Sequence, residues 1–183
     1  MTVPGTFDTS ARELIHAGLQ NLDEARSLFR QLAASGFDAA RCGLLLDALQ
    51  HVCDPDVALR NLVDIVNAQV SQGRALDDIM PDDTAFRQLV AVLGVSDAMG
   101  KLMRFRPDLV QTAATDHCNS HLYNHDQRRA HVLESVGADP NDRMSPTATM
   151  DLADAATALR RTYRNQLAAI IAQDTMSDDP IAL

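Results

Sequence analysis

The sequence predicts an all-α fold: an irregular bundle of about seven or eight helices that ends in a long C-terminal helix. Three observations predict it. Apolar residues recur at spacings of three and four along most of the chain, while strict alternation is nowhere sustained. Aromatic residues are only 4% and Trp is absent, so the core must be built from Leu, Val, Ile, Ala and seven Met, a palette that suits helices better than sandwich strands. Helix-start residues and helix breakers punctuate the pattern repeatedly. With 183 residues, 46% hydrophobic and 22% charged, the chain is long enough for one domain with its own core. The expected division is a flexible N-terminus over residues 1–9, a helical domain over 10–176 and a linker over 177–183. No internal repeat is visible, which disfavours a solenoid.

Taken in order, a first helix is expected after Ser10. The next begins at Asn21, whose side chain can cap free amides, with Glu24 three residues on to complete a capping box. Leu22, Ala25, Leu28, Phe29 and Leu32 form its apolar stripe, and Gly36 supplies a left-handed stop. A third helix runs from about Asp38 with Leu45, Ala48, Leu49 and Val52 inward. Asp54-Pro55-Asp56 reads as another N-terminus, because Asp accepts amide hydrogen bonds and Pro at the first position forfeits none. Leu59, Leu62, Val63, Val66 and Val70 carry that helix to Ser71-Gln72-Gly73. After a polar loop through Pro81, Asp82-Asp83 opens a helix whose buried face is Phe86, Leu89, Val90 and Leu93, and Gly94 is read as its end. Ser96 caps the next, with Met99, Leu102 and Met103 inward, until Arg106-Pro107 stops it. A short helix from Asp108, a loop from Thr115 to Asp126, a helix over 128–136 and a second loop from Gly137 to Pro146 follow. The final helix carries Leu152, Ala156, Leu159, Tyr163, Leu167 and Ile170 as its expected buried stripe before the breakers Ser177-Asp178-Asp179-Pro180.

A net charge of −9 argues against nucleic acid and anionic lipid as partners. No stretch approaches the roughly 18 to 20 apolar residues of a membrane span. Cys42, Cys53 and Cys118 are odd in number and irregularly spaced, and the N-terminus lacks a signal-peptide pattern, so reduced thiols in a cytoplasm are expected. Cys42 and Cys53 both fall in expected core stretches, where an inert buried thiol is the usual role.

Two constellations invite a chemical reading. His117, His121 and His125 would share one helix face and could hold a transition metal, and His125-Asp126 is the dipeptide of the all-α metal phosphohydrolases. Against both stand the missing apolar stripe and the polar neighbours Asn124, Gln127, Arg128 and Arg129, so a polar loop explains the segment as well and no metal ligand is assigned. Arg160 and Arg164 lie one turn apart and are candidates to grip an acidic partner or phosphate, the alternative being a solvated helix face. No nucleophile–base arrangement is visible, and the eight glycines are scattered singly rather than gathered in a phosphate loop. No catalytic or cofactor-binding residue is assigned.

Three stretches, about a third of the chain, together resemble the N-terminal region of the glutamine synthetase adenylyltransferases, particularly those of high-GC Gram-positive bacteria. They are Asp54–Ile65 (DPDVALRNLVDI), Ala85–Val110 (AFRQLVAVLGVSDAMGKLMRFRPDLV) and Ala158–Met176 (ALRRTYRNQLAAIIAQDTM), in the family's order. Arg106-Pro107-Asp108-Leu109 is similar to the family's H-P-x-x-L stretch, with Arg106 in place of the His.

The resemblance implies a bifunctional parent enzyme whose two nucleotidyltransferase domains attach AMP to glutamine synthetase and remove it in nitrogen regulation, using ATP and Mg²⁺. Each active domain needs a Gly-Ser turn and a strand with Asp-x-Asp. This chain has no Gly-Ser, and its one Asp-x-Asp, Asp54-Pro55-Asp56, opens a helix. The expected role is therefore a non-catalytic, cofactor-free helical module preceding the AMP-removing domain, partnered by the rest of the enzyme, by glutamine synthetase and by a PII-type signal protein. Two rivals are a free-standing helical interaction domain and a small metal-dependent hydrolase built on the cluster from His117 to Asp126.

Overall fold

The computed structural model describes residues 9–115 and 124–176. Residues 1–8 of the expected N-terminal segment, most of the histidine-rich stretch with Cys118, and the expected linker over 177–183 lie outside the described residues. Ten helices are described: α1 Ala11–His16, α2 Leu22–Ala34, α3 Ala39–Leu49, α4 Pro55–Ser71, α5 Leu76–Ile79, α6 Asp83–Val95, α7 Asp97–Phe105, α8 Pro107–Thr115, α9 His125–Ser135 and α10 Leu152–Met176. The count exceeds seven or eight partly because α5 is a single turn inside the stretch expected to be a polar loop. The all-α bundle with a long last helix is otherwise as expected, and no described residue forms a strand.

Local chemistry sets most of the starts. The Asn21, Asp38, Asp54, Asp82 and Ser96 side chains accept from the amides of Glu24, Arg41, Val57, Ala85 and Met99. The complete capping box is at α1, where Glu13 N–H donates to the Ser10 hydroxyl and Ser10 N–H donates to the Glu13 carboxylate at 2.9 Å. At α2 the box is altered. Glu24 takes the Asn21 side-chain amide, while the Asn21 backbone N–H turns to Asp56 Oδ1. Gly36 ends α2 with φ +103°, the left-handed stop expected of it. Replacing Asp54 by Ala removes the 3.0 Å bond from Val57 N–H and is expected to cost about 1 kcal/mol in urea unfolding.

The core centres on α4, which packs against α2, α3, α5, α6 and α7. Leu59, Leu62 and Ile65 of α4 are fully buried with Phe29, Leu32, Phe86, Leu89, Leu93 and Met103. Each such side chain contributes about 1.5–3 kcal/mol by leaving water. Gly94 does not end α6: it lies inside the helix and is buried, because an added Cβ would stand 2.9 Å from Val52 Cβ and 3.3 Å from the Asp54 carbonyl. Close approach, not chain reversal, requires glycine there.

The last helix corrects the sequence expectation most. It begins at Leu152, with Asp151 accepting from the amides of Ala153 and Asp154, and it packs on α6, α8 and α9. Its buried residues are Ala155, Thr162, Ala168, Ala169 and Ala172, whereas Leu152, Leu159 and Tyr163 of the expected buried stripe are 88%, 40% and 64% exposed. Alanines let the helix lie close to the bundle, and Leu152, Leu159 and Tyr163 point away, whereas Leu167 of the expected stripe packs partly buried against the core, as does Ile171. A satellite core of Val136, Ala138 and Ala155 joins α9 to the first half of α10. Arg129 stitches the intervening loop by donating to the carbonyls of Pro140 and Asp142 at 2.8 Å.

Candidate functional site

Packing α10 across the start of α8 gathers arginines from two distant parts of the chain. Pro107 at the head of α8 turns the backbone so that Arg106 and Asp108, two residues apart, clasp each other. Arg106 Nε and Nη2 donate to Asp108 Oδ1 and Oδ2 at 2.8 and 2.6 Å, a bidentate pair. Arg161 of α10 brings its Nε within 3.6 Å of the same carboxylate. The hydrogen bonds from Arg106 hold the Asp108 carboxyl below the usual carboxylate range against the opposing effect of burial, so it stays ionised as the shared anchor.

Around this anchor lies an open groove of about 410 Å³ lined by Arg106, Asp108, Thr157, Arg160, Arg161 and Arg164. A second hollow shares Asp108 and Arg161 and adds Arg74. The structure thus brings Arg160 and Arg164, the candidate partner-binding pair, together with Arg106 and Arg161. Arg160 and Arg164 make no ion pair with any described residue. Four arginines and one carboxylate, which Arg106 and Arg161 hold, line this groove in a chain whose overall charge is −9. Such an arrangement can bind carboxylates or phosphates through planar, paired N–H donors. Arg106, Asp108 and Arg161 are the charged members that sequence reasoning missed as site residues. The available signal was Arg-Pro-Asp, in which proline fixes the turn.

The histidine constellation is not assembled by the described residues. His117 and His121 lie outside them. His125 is the first residue of α9 rather than part of a loop, with a 92% exposed side chain 3.9 Å from Asp126. Among the described residues no three His, Cys, Asp or Glu side chains are grouped to hold a metal ion. The Asp-x-Asp pair is engaged in structure: Asp54 caps α4, and Asp56 Oδ2 accepts the Gln20 N–H at 3.0 Å, tying the α1–α2 turn to α4.

The two described cysteines separate. Cys42 is fully buried, and burial, aided by the Asp38 charge, pushes its thiol up to about 11. Cys53 is exposed in the bend before Asp54, contrary to its expected core position. Iodoacetamide at pH 8, followed by peptide mass mapping, is expected to modify Cys53 and leave Cys42 intact in the folded chain. Equal modification would contradict the burial of Cys42.

No described helix is long and apolar enough to cross a membrane. No family model matches the chain, and no solved structure does. Curated relatives do. The chain is 60% identical over 177 residues, 97% of its length, to a bifunctional glutamine synthetase adenylyltransferase/adenylyl-removing enzyme of Bifidobacterium longum strain DJO10A. It is 59% identical over the same span to that of Bifidobacterium longum subsp. infantis, and 29% identical over 170 residues to that of Leifsonia xyli subsp. xyli. The chain spans only 16% of the length of these relatives. Along almost its whole length it is therefore similar to one segment of the bifunctional glutamine synthetase adenylyltransferase/adenylyl-removing enzymes.

Proposed function

We propose that this chain is the non-catalytic N-terminal helical module of a cytoplasmic enzyme that attaches AMP to glutamine synthetase and removes it again. The observation that carries the reading is 60% identity along almost the whole chain to a segment of enzymes bearing that name. In this reading ATP and Mg²⁺ act in the remainder of the enzyme. The carboxylates of Asp54 and Asp56, the one pair with the spacing of a metal clamp, are committed to capping α4 and holding the α1–α2 turn. The module's work is to pack against the rest of the enzyme and shape the approach of glutamine synthetase or of a PII-type signal protein.

The test compares the full-length enzyme, the enzyme lacking this segment and the isolated chain for transfer of labelled AMP to glutamine synthetase and its release. The isolated chain is expected to do neither and to show no saturable ATP or ADP binding in calorimetry. Removal of the segment is expected to lower at least one activity of the enzyme. AMP transfer by the isolated chain, or full retention of both activities without it, would overturn the reading.

A further inference from the structure

The outer face of α10 pairs two features that together specify a kind of partner. Leu152, Ala156, Leu159 and Tyr163 follow one another at spacings of four, three and four, so they line one side of the helix, and the three large ones are exposed. Arg160 and Arg164 directly follow Leu159 and Tyr163, which puts them about 100° further round, along the rim of this ridge and into the arginine groove. The two residues at the groove's base, Arg106 and Asp108, are clasped in place, whereas Arg160 and Arg164 have no ionic partner among the described residues. An apolar ridge at seam spacing with a cationic rim matches an amphipathic helix whose apolar face is bordered by Asp or Glu. A small phosphate ligand would use the arginines but leave the ridge uncovered.

We infer that the Leu152–Tyr163 ridge and the Arg160/Arg164 rim of α10 dock an acid-bordered amphipathic helix from the remainder of the same enzyme chain. This rests on the reading of the chain as a segment of that enzyme. Two observations choose this occupant. The relatives carry more than four fifths of their length outside the matched segment, so ample covalently linked chain is available at high effective concentration. The rim is basic on an acidic chain, so a second copy, itself at −9, is disfavoured by repulsion away from the patch.

The experiment compares the isolated chain with the full-length enzyme by hydroxyl-radical footprinting of Leu159 and Tyr163 and phenylglyoxal modification of Arg160 and Arg164, read by mass spectrometry. Exposed Phe105 and Met144 serve as references. In the full-length enzyme, modification of the four residues is expected to fall about tenfold, as a docked fraction above about 90% requires. The double variant R160E/R164E in the full-length enzyme is expected to restore oxidation of Tyr163. Because Arg160 is exposed, Arg164 is only half-buried and neither has an ionic partner among the described residues, the isolated variant chain should keep its helical circular dichroism, which separates undocking from unfolding. Equal modification in the two proteins overturns the inference. So does protection that arises only when glutamine synthetase is added, or protection in the isolated chain that grows with its concentration. Each of these results leaves the proposed module intact, because that reading is judged on the AMP-transfer assay.

Discussion

Replacing Phe86 by Ala is expected to destabilise the chain by about 3–5 kcal/mol, the range for emptying a buried aromatic site. Phe86 is buried near the start of α6, with its ring centroid 6.3 Å from that of Phe37 at 58°, a tilted pair that adds packing beyond simple burial. Helix α6 touches α3, α4, α7, α8 and α10, so no single helix can move in to fill the void without opening another contact. Because a domain of this size has a total stability of about 5–15 kcal/mol, the loss is a large fraction of it. Urea unfolding followed by circular dichroism should show a lower midpoint at an unchanged slope, with Tm reduced on the order of 10 °C. A loss under about 1 kcal/mol would mean that α6 is not clamped among its neighbours as the structure has it.

The parts of the fold that were legible in the sequence are those decided locally. Asn21, Asp54, Asp82 and Ser96 each announce a helix start because their side-chain oxygens satisfy amides within three residues, whatever the tertiary setting. The alanine face of α10 was not legible, because periodicity read by bulk picks out Leu152, Leu159 and Tyr163. The bundle instead selects Ala155, Ala168, Ala169 and Ala172 for close approach, and only the positions of α6, α8 and α9 reveal that choice. The candidate site was half legible for the same reason. Arg160 and Arg164 are one turn apart on any helix, but Arg106, some fifty residues earlier, joins them only through the crossing of α8 and α10. Gly94 likewise looked like a helix end, since nothing local signals that Val52 and the Asp54 carbonyl lie against it.

A second glycine makes the same point with a larger consequence. Gly100→Ala on α7 is expected to cost roughly 3 kcal/mol net, although alanine is intrinsically the better helix former by about 1 kcal/mol. A Cβ at position 100 would stand 2.3 Å from Asn61 Cγ and 2.5 Å from Asn61 Nδ2, so the Asn61 side chain has to leave its place. Asn61 is a buried polar residue of α4 that donates from Nδ2 to the Leu93 carbonyl at 3.3 Å. Its displacement adds overpacking, about 1–3 kcal/mol, to a buried amide stripped of its acceptor, about another 1–3. A double-mutant cycle isolates this mechanism. Asn61→Ala alone loses the bond to Leu93 but makes room, so Gly100→Ala in that background should cost much less than in the wild type, or even stabilise. Strictly additive effects would show that the glycine is needed for something other than the approach of α7 to Asn61. The cycle therefore tests whether α4 and α7 are held at contact distance by a glycine fitted to one buried side chain.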